Sequence, residues 1–259
     1  MKSFEKITSR ENPLIKQIIA LQGSAKSRKE AGLFVLEGLR ICSDAFENGI
    51  HFERLVVSES AVGKFTEIIG DFSDNAEKCV TVPDALFKKI SYTTAPQGII
   101  AVAKIPEKRA EINACGRYVG LENLQDPSNL GAVARTAEAL GVSGIVLTSD
   151  GCDPYSPKVL RASMGTLLRL PLYFADSLCD FAKEHSLRTV ACVVDRDATS
   201  VKEFEFANGD IILIGNEANG LTDSTKQQSA FRLTVPMSGR AESLNAAAAA
   251  AIVMWEMVR

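Results

Sequence analysis

Short apolar runs alternate with amphipathic stretches along almost the whole chain. Runs such as "FERLVVS", "GIVLTSD" and "DIILI" each contain at least three consecutive apolar residues, whereas strands with one face in water alternate apolar and polar residues. Stretches such as "NLGAVARTAEALG" instead space their apolar residues as a helix does. Strands buried on both faces and separated by helices are typical of parallel sheets covered by helices. The pattern therefore predicts α/β architecture with a parallel sheet in both halves of the chain.

A break in this pattern lies near residue 108. The stretch "IPEKRAEINACG", residues 105–116, follows an apolar strand-like run and combines a proline with a cluster of charges, as linkers do. The 259 residues are enough for two modest domains, each with its own core. We therefore predict one domain over residues 1–107 and a second over residues 108–259.

The chain ends in an unusually alanine-rich segment, "SLNAAAAAAIVMWEMVR". Residues 245–258 contain neither glycine nor proline, and alanine is the best helix former, so we expect a terminal helix. A helix coated with methyl groups can lie very close to another backbone. Tight packing of the terminal helix is the simplest interpretation of this composition.

Composition excludes several classes of protein. Charged residues make up 24% and hydrophobic residues 46% of the chain, as in ordinary globular proteins. No apolar run approaches the roughly 18 residues of a membrane span, and the start "MKSFEKITSR" lacks the apolar core of a signal peptide. We therefore expect a cytoplasmic protein without a membrane partner.

Cysteine and histidine offer little chemistry. The six cysteines occur singly, without metal-ligand or redox spacing, and we interpret them as small buried hydrophobic residues. The two histidines, His51 and His185, are not close in sequence to another candidate ligand or nucleophile. We therefore expect no metal site and no histidine base.

The net charge of −3 hides an asymmetry between the two halves. Residues 1–40 carry eight Lys or Arg against four Glu, whereas residues 106–259 carry fifteen against nineteen acidic residues. A basic N-terminal arm is typical of phosphate binding, although a solvated charged helix has the same composition. The candidate nucleic-acid contacts are Arg10, Lys16, Lys26, Arg28 and Lys29.

Three loops after predicted strands contain polar residues and glycines, at the position where open parallel sheets bind ligands. Their sequences are "LENLQDPSNLGAVART", "ILIGNEANGL" and "VPMSGRAESLN". None contains the glycine pattern of a dinucleotide-binding or nucleoside-triphosphate-binding loop, which disfavours a dehydrogenase or a nucleotide hydrolase. Each loop also has a purely structural interpretation as a helix cap or a strand-to-helix turn. Arg135 is the least ordinary residue, because small apolar residues surround it on a predicted helix.

Taken in order, "NLGAVART", "GNEANGL" and "VPMSGRAESLNAAAAAA" resemble the SpoU, or TrmH-like, family of RNA ribose 2'-O-methyltransferases in the SPOUT superfamily. Each motif alone is weak, but the ordered triple is specific, and it covers about residues 117–259. Upstream, "SRENPLIK" and "GLFVLEGLRICSDAF" look like the family's N-terminal L30e-like RNA-binding domain. The resemblance thus extends over nearly the whole chain.

The resemblance implies a C-terminal α/β domain with a parallel sheet and a trefoil knot that binds S-adenosylmethionine. It also implies a homodimer whose interface includes the terminal alanine helix. The cofactor-binding residues implied are Gly215, Val235, Met237 and Leu244, with Thr148 as a neighbour at the end of the "GIVLTSD" strand. The catalytic residues implied are Arg135, supported by Asn129, Glu217, Ser243 and Asn245.

The implied substrate is structured RNA, with ribosomal RNA favoured over tRNA because of the N-terminal domain type. The principal alternative is an RNA-binding module on the same scaffold that carries out no chemistry. Both Asn129 and Arg135 are present, which favours the enzyme. A dehydrogenase is a distant third interpretation.

Overall fold

A computed structural model describes residues 2–106 and 110–259. The chain divides into two compact units: Met1–Glu107 with Tyr155–Arg161, and Lys108–Pro154 with Ala162–Arg259. The domain boundary predicted near residue 108 lies outside the described residues.

The first unit contains a five-stranded sheet in the order β1-β4-β3-β5-β2. Its strands are β1 (Phe4–Lys6), β2 (Leu33–Glu37), β3 (Phe52–Ser58), β4 (Ala76–Val82) and β5 (Ile99–Lys104). Its helices are α1 (Pro13–Gly23), α2 (Ala25–Ala31), α3 (Leu39–Glu47), α4 (Glu59–Lys64), α5 (Thr66–Asn75) and α6 (Asp84–Ile90).

This sheet is mixed, so the prediction of a parallel sheet in the first half is wrong. Strand β4 pairs in parallel with β1 and β3, but β5 runs antiparallel to both β2 and β3. The first five of the six residues in β5 are apolar, and all five are buried. A strand in the middle of a sheet is apolar whichever way its neighbours run, so hydrophobicity did not reveal its direction.

The second unit contains a seven-stranded sheet in the order β10-β12-β9-β11-β6-β7-β8. Its strands are β6 (Tyr118–Leu121), β7 (Gly144–Thr148), β8 (Leu172–Ala175), β9 (Arg188–Cys192), β10 (Thr199–Ser200), β11 (Asp210–Ile214) and β12 (Phe231–Thr234). Its other elements are α7 (Pro127–Ala139), a 3-10 turn (Thr166–Leu168), α9 (Leu178–Glu184), α10 (Asp223–Gln228) and α11 (Ala246–Val258). Helix α8 (Pro157–Ala162) lies almost entirely in residues 155–161, which belong to the first unit.

Every pairing between the named strands of this second sheet is parallel, as predicted. Strands β6, β7 and β11 are buried along their whole length, which explains their uniformly apolar sequences. From β6 the sheet grows through β7 to β8 on one side and through β11 to β9 and β12 on the other. This reversal of strand order creates a crevice at the carboxyl ends of the strands, where ligands bind in such sheets.

Helix α7 approaches Ala162 and Ser163 so closely that only glycine fits at the contact. A Cβ atom on Gly131 would lie 2.4 Å from the Cβ of Ala162 and 2.7 Å from its carbonyl carbon. Since one of these neighbours is backbone, a larger side chain would have to displace the helix. Gly131 thus fixes where the first motif, "NLGAVART", sits against the sheet.

The alanine-rich helix α11 packs against α7 and β11. It buries Ala250, Val253 and Met254 on one side, whereas Ile252 is 39% exposed and Trp255 is 56% exposed. One face of the helix is therefore tightly packed. The other face is also apolar, but in the single chain it is exposed to solvent, and we call it the open face.

Candidate active site

A cavity of about 520 Å³ lies in the second unit, beside the carboxyl ends of β9, β11 and β12. Its walls come from three segments, residues 192–195, 214–221 and 232–237, and from the start of α11 with the residues before it. We call residues 215–221, which follow β11 and contain the second motif, the cavity loop. The pocket therefore forms where the strand-end loops converge.

Four of the five predicted cofactor-binding residues line this cavity, and Thr148 does not. Gly215, Val235, Met237 and Leu244 all contribute to its wall. Thr148 ends β7 and is buried, and its hydroxyl donates to an oxygen of the Asp150 carboxylate at 2.5 Å. Its Oγ1 also accepts from the backbone N–H of Asn123 at 2.7 Å, so Thr148 supports neighbouring backbone outside the cavity.

The cavity loop folds tightly onto itself, and Gly215 is required for this shape. Asn216 and Gly220 form an antiparallel bridge through hydrogen bonds of 3.0 and 2.9 Å. A Cβ atom on Gly215 would lie 2.0 Å from the carbonyl carbon of Gly220 and 2.1 Å from the nitrogen of Leu221. The missing side chain thus lets two stretches of backbone touch beside the cavity.

A chain of hydrogen bonds joins the three motifs. The Asn129 side chain donates from Nδ2 to Oε1 of Glu217 at 2.9 Å, and its Oδ1 accepts from Nδ2 of Asn245 at 3.0 Å. Asn129 is buried near the start of α7, Glu217 lies in the cavity loop, and Asn245 caps α11. Because Asn129 uses both a donor and an acceptor, its amide orientation is fixed. We call these three residues the motif network.

The Glu217 carboxylate is held in its charged form. Burial raises its pKa, but hydrogen bonds from Asn129 and from the backbone N–H groups of Asp126 and Gln125 outweigh that effect. The pKa therefore lies below its ordinary value of 4.5. A carboxylate that accepts this many hydrogen bonds is a poor proton acceptor at neutral pH. The geometry indicates that Glu217 joins the first motif to the cavity loop.

Arg135 and Ser243 lie at the surface with their polar groups available. Arg135 is on the exposed side of α7, and its guanidinium has no hydrogen bond or ion pair with the described residues. The charge therefore sits at a solvent-facing position, which explains how the helix tolerates it among small apolar neighbours. Ser243 is exposed and lines the cavity, whereas Arg135 is not part of the cavity wall.

Sequence reasoning missed one wall of the cavity, residues 192–195, which follow β9. Val194 in this wall is 67% exposed, so its aliphatic side chain adds apolar surface to the cavity. At the rim, Asp195 forms an ion pair with Arg232 at 3.3 Å. The stretch "RTVACVVD", residues 188–195, has the apolar composition of a buried strand, so the rule that ligands bind at strand ends could have identified this segment.

The predicted basic contacts in the first unit differ in their surroundings. Arg10 and Lys29 are exposed. Lys16 and Lys26 are also exposed, but Lys16 pairs with Glu11 at 2.6 Å and Lys26 pairs with Glu30 at 3.8 Å. Arg28 is buried, and its guanidinium donates to the backbone carbonyls of Leu21 and Gln22 at the end of α1. Arg28 is therefore occupied inside the fold, which corrects its interpretation as a surface contact for phosphate.

Within residues 2–106 and 110–259, no cluster of three or more His, Cys, Asp or Glu side chains could hold a metal ion. In the same part of the chain, no helix has the length and apolarity needed to cross a membrane.

Comparison with known proteins identifies the family. The model of the SpoU rRNA methylase family matches residues 116–255, more than half of the chain, and the MRM3-like substrate binding domain matches residues 12–101. A 23S rRNA (uridine(2479)-2'-O)-methyltransferase of Streptomyces viridochromogenes is 30% identical, and the alignment covers 98% of this chain and 92% of that protein. A 23S rRNA (guanosine(2553)-2'-O)-methyltransferase of Bacillus subtilis is 28% identical over 98% of this chain and 99% of its own length.

Solved structures agree with this assignment. The AdoMet-bound rRNA methyltransferase from Sinorhizobium meliloti superposes with a TM-score of 0.87 at 27% identity, covering 98% of this chain and 97% of that protein. The predicted fold class is confirmed by this likeness and by the parallel sheet of the second unit. The predicted enzyme class, an RNA 2'-O-methyltransferase, and the predicted cofactor, S-adenosylmethionine, are confirmed as well. The chain belongs to the SpoU rRNA methylase family.

Proposed function

We propose that this protein methylates a ribose 2'-hydroxyl in ribosomal RNA and that the cavity of the second unit receives S-adenosylmethionine. The observation that carries the proposal is the motif network, which joins Asn129, Glu217 and Asn245 beside a cavity at the strand ends. The ribosomal substrate is inferred from the two relatives named for 23S rRNA, whose stated targets are a uridine and a guanosine. A tRNA substrate is the alternative.

The cavity fits the methyl donor in size and in chemistry. Its volume of about 520 Å³ lies in the range of small-molecule sites. Val194, Val235 and Leu244 offer apolar surface for a purine ring, and Gly215 brings the backbone of the cavity loop to the cavity wall, where it would bind the edge of that ring. When bound, S-adenosylmethionine supplies an electrophilic methyl group.

Arg135 is the residue that we assign to the chemical step. A guanidinium stays protonated in proteins, so we infer that it holds an RNA phosphate and stabilises negative charge developing on the 2'-oxygen, without acting as a base. Its free, exposed side chain supports a role toward a large external substrate. The motif network positions the surrounding backbone, and Ser243 adds a hydroxyl at the cavity wall.

The first unit would bind the RNA. Arg10, Lys16, Lys26 and Lys29 carry charges on its surface, as contacts to phosphate require. Arg28 is left out of this set because its guanidinium is buried.

We also propose a homodimer that covers the open face of α11. Ile252 and Trp255 expose apolar surface three residues apart on this helix. A second copy would remove this surface from water, and burial of apolar area stabilises association by about 25 cal/mol per Å² before the cost of ordering is counted.

The test combines cofactor binding with methyl transfer. Calorimetry measures S-adenosylmethionine binding, and radiolabelled transfer is measured with ribosomal RNA from a strain that lacks this protein and, separately, with tRNA. We expect binding and one new 2'-O-methylated position in ribosomal RNA. Transfer to tRNA alone would contradict the ribosomal assignment, and binding without transfer to either RNA would support a non-catalytic module.

A further inference from the structure

The far end of the cavity loop is fastened to Glu122, the residue directly after β6. The Glu122 carboxylate accepts hydrogen bonds from the backbone N–H of Thr222 at 2.7 Å and from its hydroxyl at 3.0 Å. It also accepts a short hydrogen bond from the hydroxyl of Thr225, the buried residue of α10. One carboxylate therefore holds the place where the cavity loop ends and α10 begins.

The near end of the loop is fastened to the next residue along the chain, Asn123. The Asn216 side chain donates from Nδ2 to the backbone carbonyl of Asn123 at 2.9 Å. Its Oδ1 accepts from the backbone N–H groups of Ala218 and Asn219 at 2.9 and 3.1 Å, which shapes the turn. Consecutive residues after β6 thus hold both ends of the loop.

We propose that Glu122 is a positioning residue for the methyl donor. It holds the cavity loop in the shape that receives S-adenosylmethionine, although it does not itself line the cavity. This inference rests on the proposed function, because it assumes that the cavity is the cofactor site. A ligand bound by backbone groups depends on the conformation of that backbone, so a loop ordered beforehand binds more tightly than one that must be ordered on binding.

The change of Glu122 to Gln tests the charge with little change in shape. Three donors meet at Glu122, and a glutamine would turn one of its two oxygens into an NH₂ group that faces one of these donors. The loop would lose at least one charge-assisted hydrogen bond. We expect the Kd and the KM for S-adenosylmethionine to rise about tenfold or more, the scale of one hydrogen bond to a charged group.

The same change should leave kcat at saturating S-adenosylmethionine within about twofold of the wild-type value. The hydrogen bonds of the motif network and the side chain of Arg135 do not involve Glu122. A residue that only supported the fold would lower the free energy of unfolding and the fraction of active enzyme, but it would leave the KM of the folded enzyme unchanged. The split between KM and kcat therefore separates the two roles.

The experiment uses the full chain and measures S-adenosylmethionine binding by calorimetry and initial rates at varied cofactor concentration. Glu67→Gln is the matched control, because it makes the same chemical change at an exposed carboxylate in the first turn of α5, which belongs to the first unit. Thr225→Val removes one donor to Glu122 with little change in volume, and we expect it to raise the Kd in the same direction by a smaller factor.

An unchanged Kd and KM in Glu122→Gln, with wild-type binding intact, would overturn the positioning role alone. If Glu122→Gln does not fold, an unchanged Kd in Thr225→Val would overturn it as well. Failure of the wild-type protein to bind S-adenosylmethionine would instead remove the proposed function and this inference together.

Discussion

Replacing Asn245 separates two roles that one side chain combines. Its Oδ1 caps α11 by accepting from the backbone N–H groups of Ala247 and Ala248 at 2.9 and 3.2 Å. Its Nδ2 donates to Asn129 in the motif network at 3.0 Å. Asn245→Ala removes both roles. Asn245→Asp keeps the cap, since aspartate caps helices as well as asparagine, but it cannot donate to Asn129.

The two costs can be estimated from these contacts. Loss of a helix cap costs about 1 kcal/mol, and loss of a hydrogen bond to a buried partner costs about 1–2 kcal/mol more. The Asn129 amide cannot rotate to compensate, because its Oδ1 would then face the Glu217 carboxylate. We expect Asn245→Ala to lower the free energy of unfolding by about 2–3 kcal/mol and Asn245→Asp by about 1–2 kcal/mol. Each kcal/mol corresponds to a Tm about 2–4 °C lower in a protein of this size.

Scanning calorimetry of the full chain measures these changes as shifts in Tm. Ser177→Ala is the control, because Ser177 caps α9 but has no contact with the motif network, and it should cost about 1 kcal/mol. Equal losses in the Ala and Asp variants of Asn245 would show that its cap contributes nothing. If Asn245→Asp lowers the free energy of unfolding by less than about 0.3 kcal/mol, the loss is smaller than a cap or a hydrogen bond contributes. That result would refute a stabilising role for the hydrogen bond to Asn129.

Four further results are expected. Arg135→Ala should lower the rate of single-turnover methyl transfer by about 100-fold and leave the affinity for S-adenosylmethionine within a few fold of wild type. Arg135→Lys should restore little of this rate. A near-normal rate in Arg135→Ala would show that the role of Arg135 is structural. The pKa of Glu217 is lower in the folded protein than the value near 4.5 in the unfolded chain. Its charged carboxylate therefore stabilises the fold above pH 4.5, and this stabilisation is lost as the pH falls through the folded-state pKa. The difference in free energy of unfolding between wild type and Glu217→Gln, measured by urea denaturation, should narrow below pH 4.5. Neutralising Lys26 and Lys29 together should flatten the log–log salt dependence of RNA binding by about 0.7–0.9 per lost contact, and an unchanged slope would argue against phosphate contacts. Trp255→Glu should shift sedimentation at micromolar concentration toward a monomer, whereas a wild-type monomer would contradict the proposed dimer.

The ordered motifs, and the rule that ligands bind at the carboxyl ends of parallel strands, predicted the second unit well. Buried parallel strands have a distinctive composition, and the loops that follow them meet at one edge of the sheet. What they could not predict is which side chains touch. Asn245 was recognisable as a helix cap, but its partner Asn129 lies 116 residues earlier in the chain. Hydrogen bonds between distant loops leave no periodic signal in a sequence.

The first unit was harder to predict because its signals are local and ambiguous. Strand β1 is only three residues long and has no buried residue, so its sequence differs little from that of a loop. Helix α2 follows α1 after the single residue Ser24, which caps it by accepting from the N–H of Ser27. Arg28 belongs to a run of basic residues, and charge alone could not show that its guanidinium folds back onto the carbonyls of α1.

The chain contains one tryptophan, and it lies on the open face of α11. Ala249 and Val253, on the opposite side of this helix, line the cavity. The indole fluorescence of the protein therefore comes from a single site, about half in water, on the helix that bounds the cavity. Its emission wavelength reports whether that face is wet or covered, and no second indole from the rest of the chain overlaps with this signal. The fluorescence of this single tryptophan thus reports the environment of the alanine-rich helix.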